Sequence, residues 1–524
     1  MAETQAGAMA APSGPKREIL IVLPGLLLAL IVAMLDQTVV STALPRIVGD
    51  LGGVTHLSWV VTAYVLASTI TTPLYGKLGD LYGRKRWLMI AIVIFLIGSA
   101  LSGLAHSMDQ LIMFRALQGL GAGGLMVGVI ATIGDMVSPR ERGQYMGYMM
   151  ASMMLAMIAG PLVGGYITDD LSWRWIFYIN MPVGGAALIY LFLTLHLPYK
   201  KVEHKIDYLG AGTLAIAATA VVLLTTWGGT EYAWRSVQII GLGAIAVVAT
   251  GLFLWIQTRA AEPVLPLHVF RNRNFSVATA MSFLLGMAML GALTFLPLYQ
   301  QTVQHLSAVG SGLMLIPMML GVTTTSLIGG FVMTRTGRYR FMPIVGGAIM
   351  SVAMFLLTGL HSDTSLLVSG LFYVILGIGM GFLMQITSVI VQNSVQPKDI
   401  GVASSSRTFF QQIGSSIGVA LFGAIFARRL TETLTKQLPG VHLSAGGGQL
   451  DPVTVNRLPA TVKHDVFFAI SHAIDGVFVW AVPAAILVFV LAWFIKEVPL
   501  RSSATPPPTE AKASEPELAP DPVP

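Results

Sequence analysis

The sequence has no cysteine and few charged residues. Of its 524 residues none is Cys and only 11% are Asp, Glu, Lys or Arg, whereas 54% are hydrophobic. The lack of Cys excludes disulfides, thiolate metal sites and cysteine catalysis. Soluble domains carry about 25% charged residues, so this composition indicates a protein that crosses a membrane several times.

Two enzyme motifs are also missing. The sequence contains no Gly-x-x-x-x-Gly-Lys-Ser/Thr phosphate loop and no His-Glu-x-x-His zinc motif. We therefore expect no enzyme activity, no cofactor, no metal and no use of ATP within this chain. The net charge of +6 does not indicate a nucleic-acid partner, because the basic residues lie in short loops between apolar stretches.

Fourteen apolar stretches are long enough to be membrane helices, which predicts an all-α integral membrane protein. They lie at about 19–44, 57–76, 87–105, 109–133, 144–168, 174–197, 207–228, 236–257, 275–300, 308–333, 341–360, 365–391, 402–427 and 466–495.

Most Lys and Arg residues fall in every second loop, including Lys77, Arg84 and Arg86 after the second stretch and Arg335 and Arg338 after the tenth. Because basic loops stay on the cytoplasmic side, this asymmetry predicts an even number of helices with both termini cytoplasmic. The tails at 1–18 and 502–524 and an outer loop at 430–465 lack membrane character, and the second tail is expected to be disordered.

Asp36 lies inside the first apolar stretch. A carboxylate near the centre of a membrane costs roughly 2.5–3.5 kcal/mol on insertion scales, so such residues usually face a protein interior or a wet cavity. This position predicts a site that binds and releases a proton.

The chain contains an internal repeat. Gly76–Arg86 matches Gly330–Arg340, with glycine and arginine at the same offsets, and Gly160 and Gly164 match Gly414 and Gly418. Gly119, Gly121 and Gly123 match Gly377, Gly379 and Gly381 in the same order. The repeat predicts two six-helix bundles, at 19–198 and 273–497, with an extra pair of helices at 207–257 between them.

This organisation and four motifs resemble the major facilitator superfamily, in particular its fourteen-helix branch of drug:proton antiporters. The motifs are Leu35–Pro45 in the first helix, Gly76–Arg86 after the second, Arg115–Gly123 in the fourth and Gly147–Gly165 in the fifth. The resemblance implies multi-pass insertion in a bacterial plasma (inner) membrane and alternating access between two halves. Ser41 and Ala156 depart from the usual Asn and Gly of these motifs.

Asp36 and Arg115 are the predicted proton-coupling pair, because they fall at similar depths in helices 1 and 4. Burial favours the protonated acid and a nearby guanidinium favours the carboxylate, so a site balanced between them can exchange a proton. A permanent structural ion pair is the alternative.

By resemblance, a second group of residues controls which side is open. Asp80 is expected to meet the start of helix 11 near Gly401 and Ala403, and Arg84 to pair with Asp135. The remaining members of this group are Gly76, Gly83, Gly160, Pro161, Gly164 and Gly165. For the helix-5 residues, ordinary packing of small side chains is an equally good interpretation.

Other polar or soft side chains are weaker candidates. Tyr299, Gln300, Gln301 and Gln385 could line a substrate cavity. His472 and Asp475 share a helix face and favour an interfacial pair over a second proton site. The stripe Met146, Met150, Met153 and Met157 suits a promiscuous apolar wall, although plain packing or lipid contact is the favoured interpretation.

We therefore predict proton-driven export of hydrophobic or cationic drugs. The partners are protons, such substrates and the lipid bilayer; a periplasmic or outer-envelope partner is left open. A dedicated exporter of one metabolite, siderophore or lipid is the main alternative, and a non-transporting membrane sensor is a distant one. Fold cannot decide among them.

Overall fold

A computed structural model of the chain describes residues 15–51, 57–197, 207–229, 231–260, 262–306, 308–361, 364–437 and 460–500. Residues 1–14 of the first predicted tail, the second tail at 502–524 and most of the predicted outer loop, at 438–459, lie outside these ranges. The described backbone is helical, with 3₁₀ turns at Leu267–Arg271 and Pro397–Asp399.

The first part of the chain forms nine helices in the described residues. They are α1 (Pro15–Leu51), α2 (Leu57–Tyr82), α3 (Arg84–Gly103), α4 (Met108–Met136), α5 (Pro139–Asp170), α6 (Trp175–Tyr178), α7 (Asn180–Thr194), α8 (Tyr208–Trp227) and α9 (Val237–Gln257).

The second part continues with α10 (Arg273–Thr302), α11 (Ala308–Leu313), α12 (Ile316–Thr336), α13 (Phe341–Leu357), α14 (Leu366–Asn393), α15 (Ile400–Gln437) and α16 (Ala460–Trp493). Lys77, Arg84, Arg335 and Lys496 lie in or next to the helix ends on one side of the structure, which we call the basic end. The other end is called the opposite end.

Two bundles repeat the same packing. In the first, α1 packs on α5, and α4 packs on both α2 and α3. In the second, α10 packs on α15, and α14 packs on both α12 and α13. The glycines that the sequence repeat aligns, Gly83 and Gly337, both have positive φ, 96° and 71°, at the turn after the second long helix of their bundle.

Twelve helices in the described residues are long and apolar enough to cross a membrane, and the prediction of fourteen is not confirmed. The twelve include α8 and α9, and α6 and α7 count as one span. The set leaves out α13, which has 17 residues, and α2, which is rich in Ser, Thr and Tyr.

The extra pair α8 and α9 packs beside both bundles. The rings of Trp227 on α8 and Trp59 on α2 are 5.3 Å apart, and the hydroxyls of Thr225 on α8 and Ser416 on α15 are hydrogen bonded at 2.7 Å. Thus α8 lies over the line where the two bundles meet.

Several helices are longer than the sequence pattern indicates. Helix α1 runs to Leu51, past the predicted limit at 44, and α15 runs to Gln437, into the predicted outer loop. Helix α16 begins at Ala460, also within that loop. Hydropathy marks where the apolar stretch ends, whereas the backbone helix continues into polar sequence.

Candidate functional site

Asp36 and Arg115 form an ion pair inside the first bundle. The Oδ2 atom of Asp36 accepts a hydrogen bond from an Nη atom of Arg115 at 2.6 Å. Both residues are 1% exposed. An ion pair so far from solvent is stable only when its remaining hydrogen-bonding atoms also have partners.

Two amide side chains supply those partners. Gln118 Nε2 and Asn180 Nδ2 donate to Asp36 Oδ1 at 2.8 and 2.9 Å, and Gln118 Oε1 accepts from Arg115 at 2.7 Å. Asn180 also donates to Ser99 Oγ, which donates to the carbonyl of Phe177. The carboxylate therefore receives three side-chain hydrogen bonds, from α4 and α7.

Arg115 has further partners that do not depend on Asp36. Its guanidinium carbon lies 4.1 Å from the centre of the Tyr64 ring, and its Nε donates to the carbonyl of Val60 at 3.5 Å. A cation over a ring face in a dry site gains about 2 kcal/mol. These contacts therefore hold Arg115 independently of Asp36.

The pair lies between two apolar layers. On the basic side, Leu30 and Ala33 of α1 belong to a buried cluster with α3, α4 and α7. On the opposite side, Val39 and Val40 belong to a second cluster with Ile176 and Phe177. Burial between these layers keeps the local dielectric low, which strengthens each charge interaction.

Asn180 and Ser99 were not among the predicted site residues. Asn180 begins α7, directly after the break at Ile179 that separates α6 from α7. The available signal was a lone amide at the start of an apolar stretch, which is weaker than a charge. Gln118 and Thr38 belong to the motifs of the fourth and first helices, but no role was predicted for either.

A second polar cluster joins the bundles at the basic end. Asp80 accepts hydrogen bonds from the backbone N–H groups of Gly401 and Val402 at 3.1 and 2.8 Å. Arg84 forms ion pairs with Asp80 and with Asp135, the latter at 2.7 Å. The first turn of α15 has free N–H groups and a positive dipole end, both of which favour the Asp80 carboxylate.

Glycines let the helices of the two bundles cross closely at the same end. A Cβ atom on Gly76 of α2 would lie 2.7 Å from the carbonyl oxygen of Gly401 on α15. Likewise, a Cβ atom on Gly330 of α12 would lie 2.7 Å from the backbone nitrogen of Gln144 on α5. Gly76 and Gly330 are aligned by the repeat, so the two crossings are related positions.

The helix-5 motif packs in a different direction. A Cβ atom on Gly160 would lie 2.6 Å from Thr38 Cβ on α1, so Gly160 serves packing within the first bundle. Gly164 is buried, and a Cβ atom on Gly165 would meet nothing within 4 Å. Pro161 lies within the continuous helix α5. It is Gly143 and Gly147, nearer the basic end, that face α12 of the second bundle.

The four predicted cavity residues are not together. Tyr299 and Gln300 are 0% exposed in the second bundle, and the Tyr299 hydroxyl donates to the carbonyl of His361 at 2.6 Å. Gln385 is 1% exposed and donates to the carbonyl of Gly143 at 3.0 Å, so it belongs to the contact between bundles. Gln301 is half-buried and bonds to Ser311.

His472 and Asp475 also do not pair with each other. The ring of His472 stacks on Phe468, whereas Asp475 Oδ2 lies 4.0 Å from Nδ1 of His361. Of the methionine stripe, Met146 is buried in the first bundle and Met157 packs against the core of the second.

Comparison with known proteins gives a consistent result. The sequence model described as Major Facilitator Superfamily matches residues 26–419. An uncharacterised MFS-type transporter of Mycobacterium tuberculosis is 41% identical over 92% of this chain and 70% of its own length. The multidrug transporter protein MdtP of Bacillus subtilis is 39% identical over 81% of this chain and 78% of its own length.

A solved structure shows the same fold. The proton:xylose symporter XylE superposes with a TM-score of 0.60 at 13% identity, covering 91% of this chain and 96% of that one. At this identity the similarity concerns the fold alone.

Proposed function

The chain belongs to the Major Facilitator Superfamily of membrane transporters, and on this premise we propose that it is a proton-coupled antiporter that exports hydrophobic and cationic compounds. The observation that carries the proposal is the Asp36 carboxylate, buried with Arg115 and two amide donors. The multidrug name of a relative at 39% identity supports an efflux role.

Asp36 is suited to exchange a proton because its surroundings can hold either charge state. As a carboxylate it receives three hydrogen bonds, and as an acid it would be uncharged in a dry site. Arg115 keeps the Tyr64 ring and Gln118 Oε1 as partners in both cases. A cationic substrate and a proton would compete for the same carboxylate, which couples their opposite movements.

The contacts between bundles fit a state that is closed at the basic end. Three contacts lie there: the hydrogen bonds of Asp80 to the start of α15, the crossing of Gly76 with Gly401, and the crossing of Gly143 with Gly330. We infer that these contacts break when the transporter opens toward the basic end. Rocking of two bundles about a central site is the usual form of alternating access.

We also propose fourteen spans, with the basic end and both termini in the cytoplasm of a bacterium and the protein in its inner membrane. Helix α2 packs along α4, and α13 packs between α14 and α16, so each occupies a regular position in its bundle. Without α2 or α13 as a span, some helices of one bundle would cross the membrane in the opposite direction to their counterparts in the other.

The direct test measures transport in sealed vesicles. Purified protein in liposomes with an imposed pH gradient should move a lipophilic cation such as ethidium against its concentration gradient. The variant Asp36→Asn should abolish pH-driven movement, because an amide cannot exchange the proton. As a matched control, Asp50→Asn changes a carboxylate of the same helix that is bonded to Trp173 Nε1 and should retain transport.

The results separate the alternatives. Full pH-driven transport by Asp36→Asn would disprove the proton site. Movement of one metabolite, siderophore or lipid with no movement of several unrelated drugs would instead support a dedicated exporter. The absence of any transported compound would favour a sensor.

A further inference from the structure

Arg407 is a buried cation without an acidic partner in the described residues. It lies on α15 and is 7% exposed, and its one hydrogen-bond partner in the structure is Gln411 Oε1, one turn along the same helix, at 3.0 Å. Its Nε atom is buried and has no partner. By contrast, Arg115 is neutralised by Asp36 and Arg84 by Asp80 and Asp135.

The described side chains of the second bundle place no carboxylate beside this arginine. Asp399, just before α15, lies 3.8 Å from His268 instead. Helices α10, α12, α13 and α14 contain no Asp or Glu at all. The one acidic residue of α15, Glu432, is paired with Arg428 near the opposite end, and Asp475 of α16 lies by His361 at that end. Arginine stays charged in proteins and an unpaired buried charge costs several kcal/mol, so its retention indicates a role.

The position of Arg407 within the bundle follows from its neighbours on α15. Ser404, Arg407 and Gln411 share one helix face. Ser404 Oγ accepts a hydrogen bond from Gln392 of α14, and the backbone at Gln411 lies against Gly286 of α10. The guanidinium side of α15 therefore faces the space between α10 and α14.

Those two helices carry unsatisfied hydroxyls at a matching depth. Thr279 Oγ1 of α10 and Ser388 Oγ of α14 are buried, at 3% and 4% residue exposure, and have no hydrogen-bond partner. Most helical Ser and Thr hydroxyls of this protein donate to the carbonyl four residues earlier, as Thr387 does. Like Arg407, Thr279 and Ser388 lie roughly two turns inside the basic end of their helices.

We propose that Arg407, Thr279 and Ser388 form a subsite for an anionic group, a carboxylate or phosphate, of a transported amphiphile. A guanidinium with two hydroxyls offers only donors toward such a group, and guanidinium–carboxylate and guanidinium–phosphate pairs are among the strongest hydrogen-bonded contacts in proteins. The inference rests on the proposed export function and extends its substrate class to zwitterions.

The subsite borders the contact between bundles, which gives an anion a route to it. A Cβ atom on Gly134 of α4 would lie 3.1 Å from Gln392 Oε1 and 2.9 Å from Ile400 of α15. Helix α4 of the first bundle therefore covers the basic side of this layer. When the bundles separate at the basic end, α4 moves off and the layer opens to that side.

A pair of dyes that differ only at one carboxyl group tests the proposal. Rhodamine B is a zwitterion with a free carboxylate, and its ethyl ester is a cation of nearly the same shape. In proteoliposomes of neutral phosphatidylcholine, Arg407→Gln should lower pH-driven uptake efficiency for rhodamine B about tenfold or more, since a charged hydrogen bond is lost. Uptake of the ester should change less than about twofold, because the ester carries no anionic group for Arg407 to bind.

Companion variants separate binding from folding. Arg407→Lys should keep part of the rhodamine B uptake, and Thr279→Val should lower it more weakly than Arg407→Gln. If Arg407→Gln loses uptake of both dyes equally, and every other variant also takes up less than the wild type, Arg407 has a structural role. That result would overturn the subsite. Uptake of the ester but not of rhodamine B by the wild type would overturn it as well.

Binding measurements distinguish this inference from the proposed function. If the wild type moves neither dye, pH-driven export fails, and the subsite is judged by titration of tryptophan fluorescence with rhodamine B. The subsite is supported if rhodamine B binds more tightly to the wild type than to Arg407→Gln while the ester binds both equally. Equal binding of rhodamine B to both proteins overturns it. Adding phosphatidylglycerol tests whether a lipid phosphate competes for the subsite. If its headgroup binds there, phosphatidylglycerol should weaken rhodamine B binding to the wild type but not to Arg407→Gln.

Discussion

Asp36 and its amide donors form the site on which the proposed proton coupling depends. The carboxylate accepts from Gln118 and Asn180 at one oxygen and from Arg115 at the other. The donors lie on α4 and α7, so these hydrogen bonds join α1 to both helices. Protonation of Asp36 would therefore loosen the attachment of α1 to α4 and α7.

Asn180→Ala should raise the pH at which transport is half-maximal. Removing this donor destabilises the carboxylate by about 1.5 kcal/mol, as expected for a hydrogen bond to a charged group, and so favours proton binding. The midpoint of pH-driven transport should rise accordingly. The pH dependence of ethidium uptake measures it.

A suitable control for that variant is Ser282→Ala. Ser282 is also fully buried, but its hydroxyl bonds only to the carbonyl of Ala278 in its own helix. Its pH midpoint should equal that of the wild type. A lowered midpoint in Asn180→Ala would contradict the proposed role of the amide.

Asp475→Asn should leave pH-driven transport intact. Asp475 lies at the opposite end, its side chain is 17% exposed, and its charged neighbour His361 is 66% exposed. No contact between bundles involves this pair in the described residues, so its proton has no link to the opening of the basic end. Loss of pH-driven uptake in Asp475→Asn, comparable with Asp36→Asn, would instead establish a second coupling site.

Among single residues, the charged side chains could be assigned to the site from the sequence, whereas the amide side chains could not. Asp36 and Arg115 could be predicted because a buried charge in an apolar stretch is costly and needs a partner. Asn180 was missed because one amide at a helix start is common and its use depends on where α7 packs. Gln385 was placed in a cavity for the same reason, although packing between bundles brings it to Gly143.

At the scale of helices, glycine crossings determine how tightly the basic end closes. The two crossings at Gly76 with Gly401 and Gly143 with Gly330 bring backbones together without side chains between them. Such contacts carry no charge and few hydrogen bonds, so they can form and separate at low cost. The Asp80 hydrogen bonds to α15 add the directional part of the closure.

Gly401→Ala should shift the protein away from the closed basic end. The new Cβ atom would lie 2.6 Å from both Asp80 Oδ1 and the carbonyl oxygen of Gly76. Overpacking of this kind costs about 1–3 kcal/mol, enough to change the ratio of states about fivefold or more. Spin labels at Arg86→Cys and Arg338→Cys, both exposed at the basic end, would report longer distances by electron paramagnetic resonance.

Gly423→Ala provides the matched control. It makes the same change on the same helix α15, where a Cβ atom would meet nothing within 4 Å. The label distance should stay as in the wild type. Because the chain has no Cys, the labels need no prior removal of native thiols. An unchanged distance in Gly401→Ala would show that the crossing does not hold the closed state.

The repeat predicted both crossings only in part. Gly76 and Gly330 were aligned from the sequence, and the positive φ of Gly83 and Gly337 follows from the same alignment. Their partners across the bundles, Gly401 and Gly143, come from packing that no local pattern encodes. The ends of α1 and α15 were misjudged since polar residues continue those helices past the apolar stretch.

For the whole molecule, the two bundles share a fold but differ in charge. The repeat that aligns Gly119 with Gly377 also aligns Arg115 with Tyr373 and Gln118 with Leu376, so the ion pair has no copy in the second bundle. There the buried cation is Arg407 instead. Proton handling in the first bundle and recognition of an anionic group in the second can therefore be tested by separate variants.

The number of spans is the remaining property of the whole molecule, and single cysteines can determine it. Arg46 lies near the end of α1 and Arg86 near the start of α3, on either side of α2 in the sequence, and Arg338 and His361 flank α13. If both helices cross the membrane with the basic end inside, a membrane-impermeant maleimide should label Arg46→Cys and His361→Cys in intact bacteria. Arg86→Cys and Arg338→Cys should react only after the cells are opened, because the bilayer excludes a charged reagent.

Labelling after denaturation would confirm equal amounts of each variant, and retained ethidium export would confirm folding. The asymmetry of the basic residues is the physical reason for the expected sides, since positive loops resist translocation. Equal reactivity of Arg338→Cys and His361→Cys in intact cells would place both ends of α13 outside and remove it as a span. In that case the second bundle could not have the orientation of the first, although their helices pack in the same order. If, for α2 and for α13 alike, one of the two cysteine positions reacts in intact cells and the other only in opened cells, both helices span the membrane. The protein then has two equivalent six-helix bundles with α8 and α9 between them.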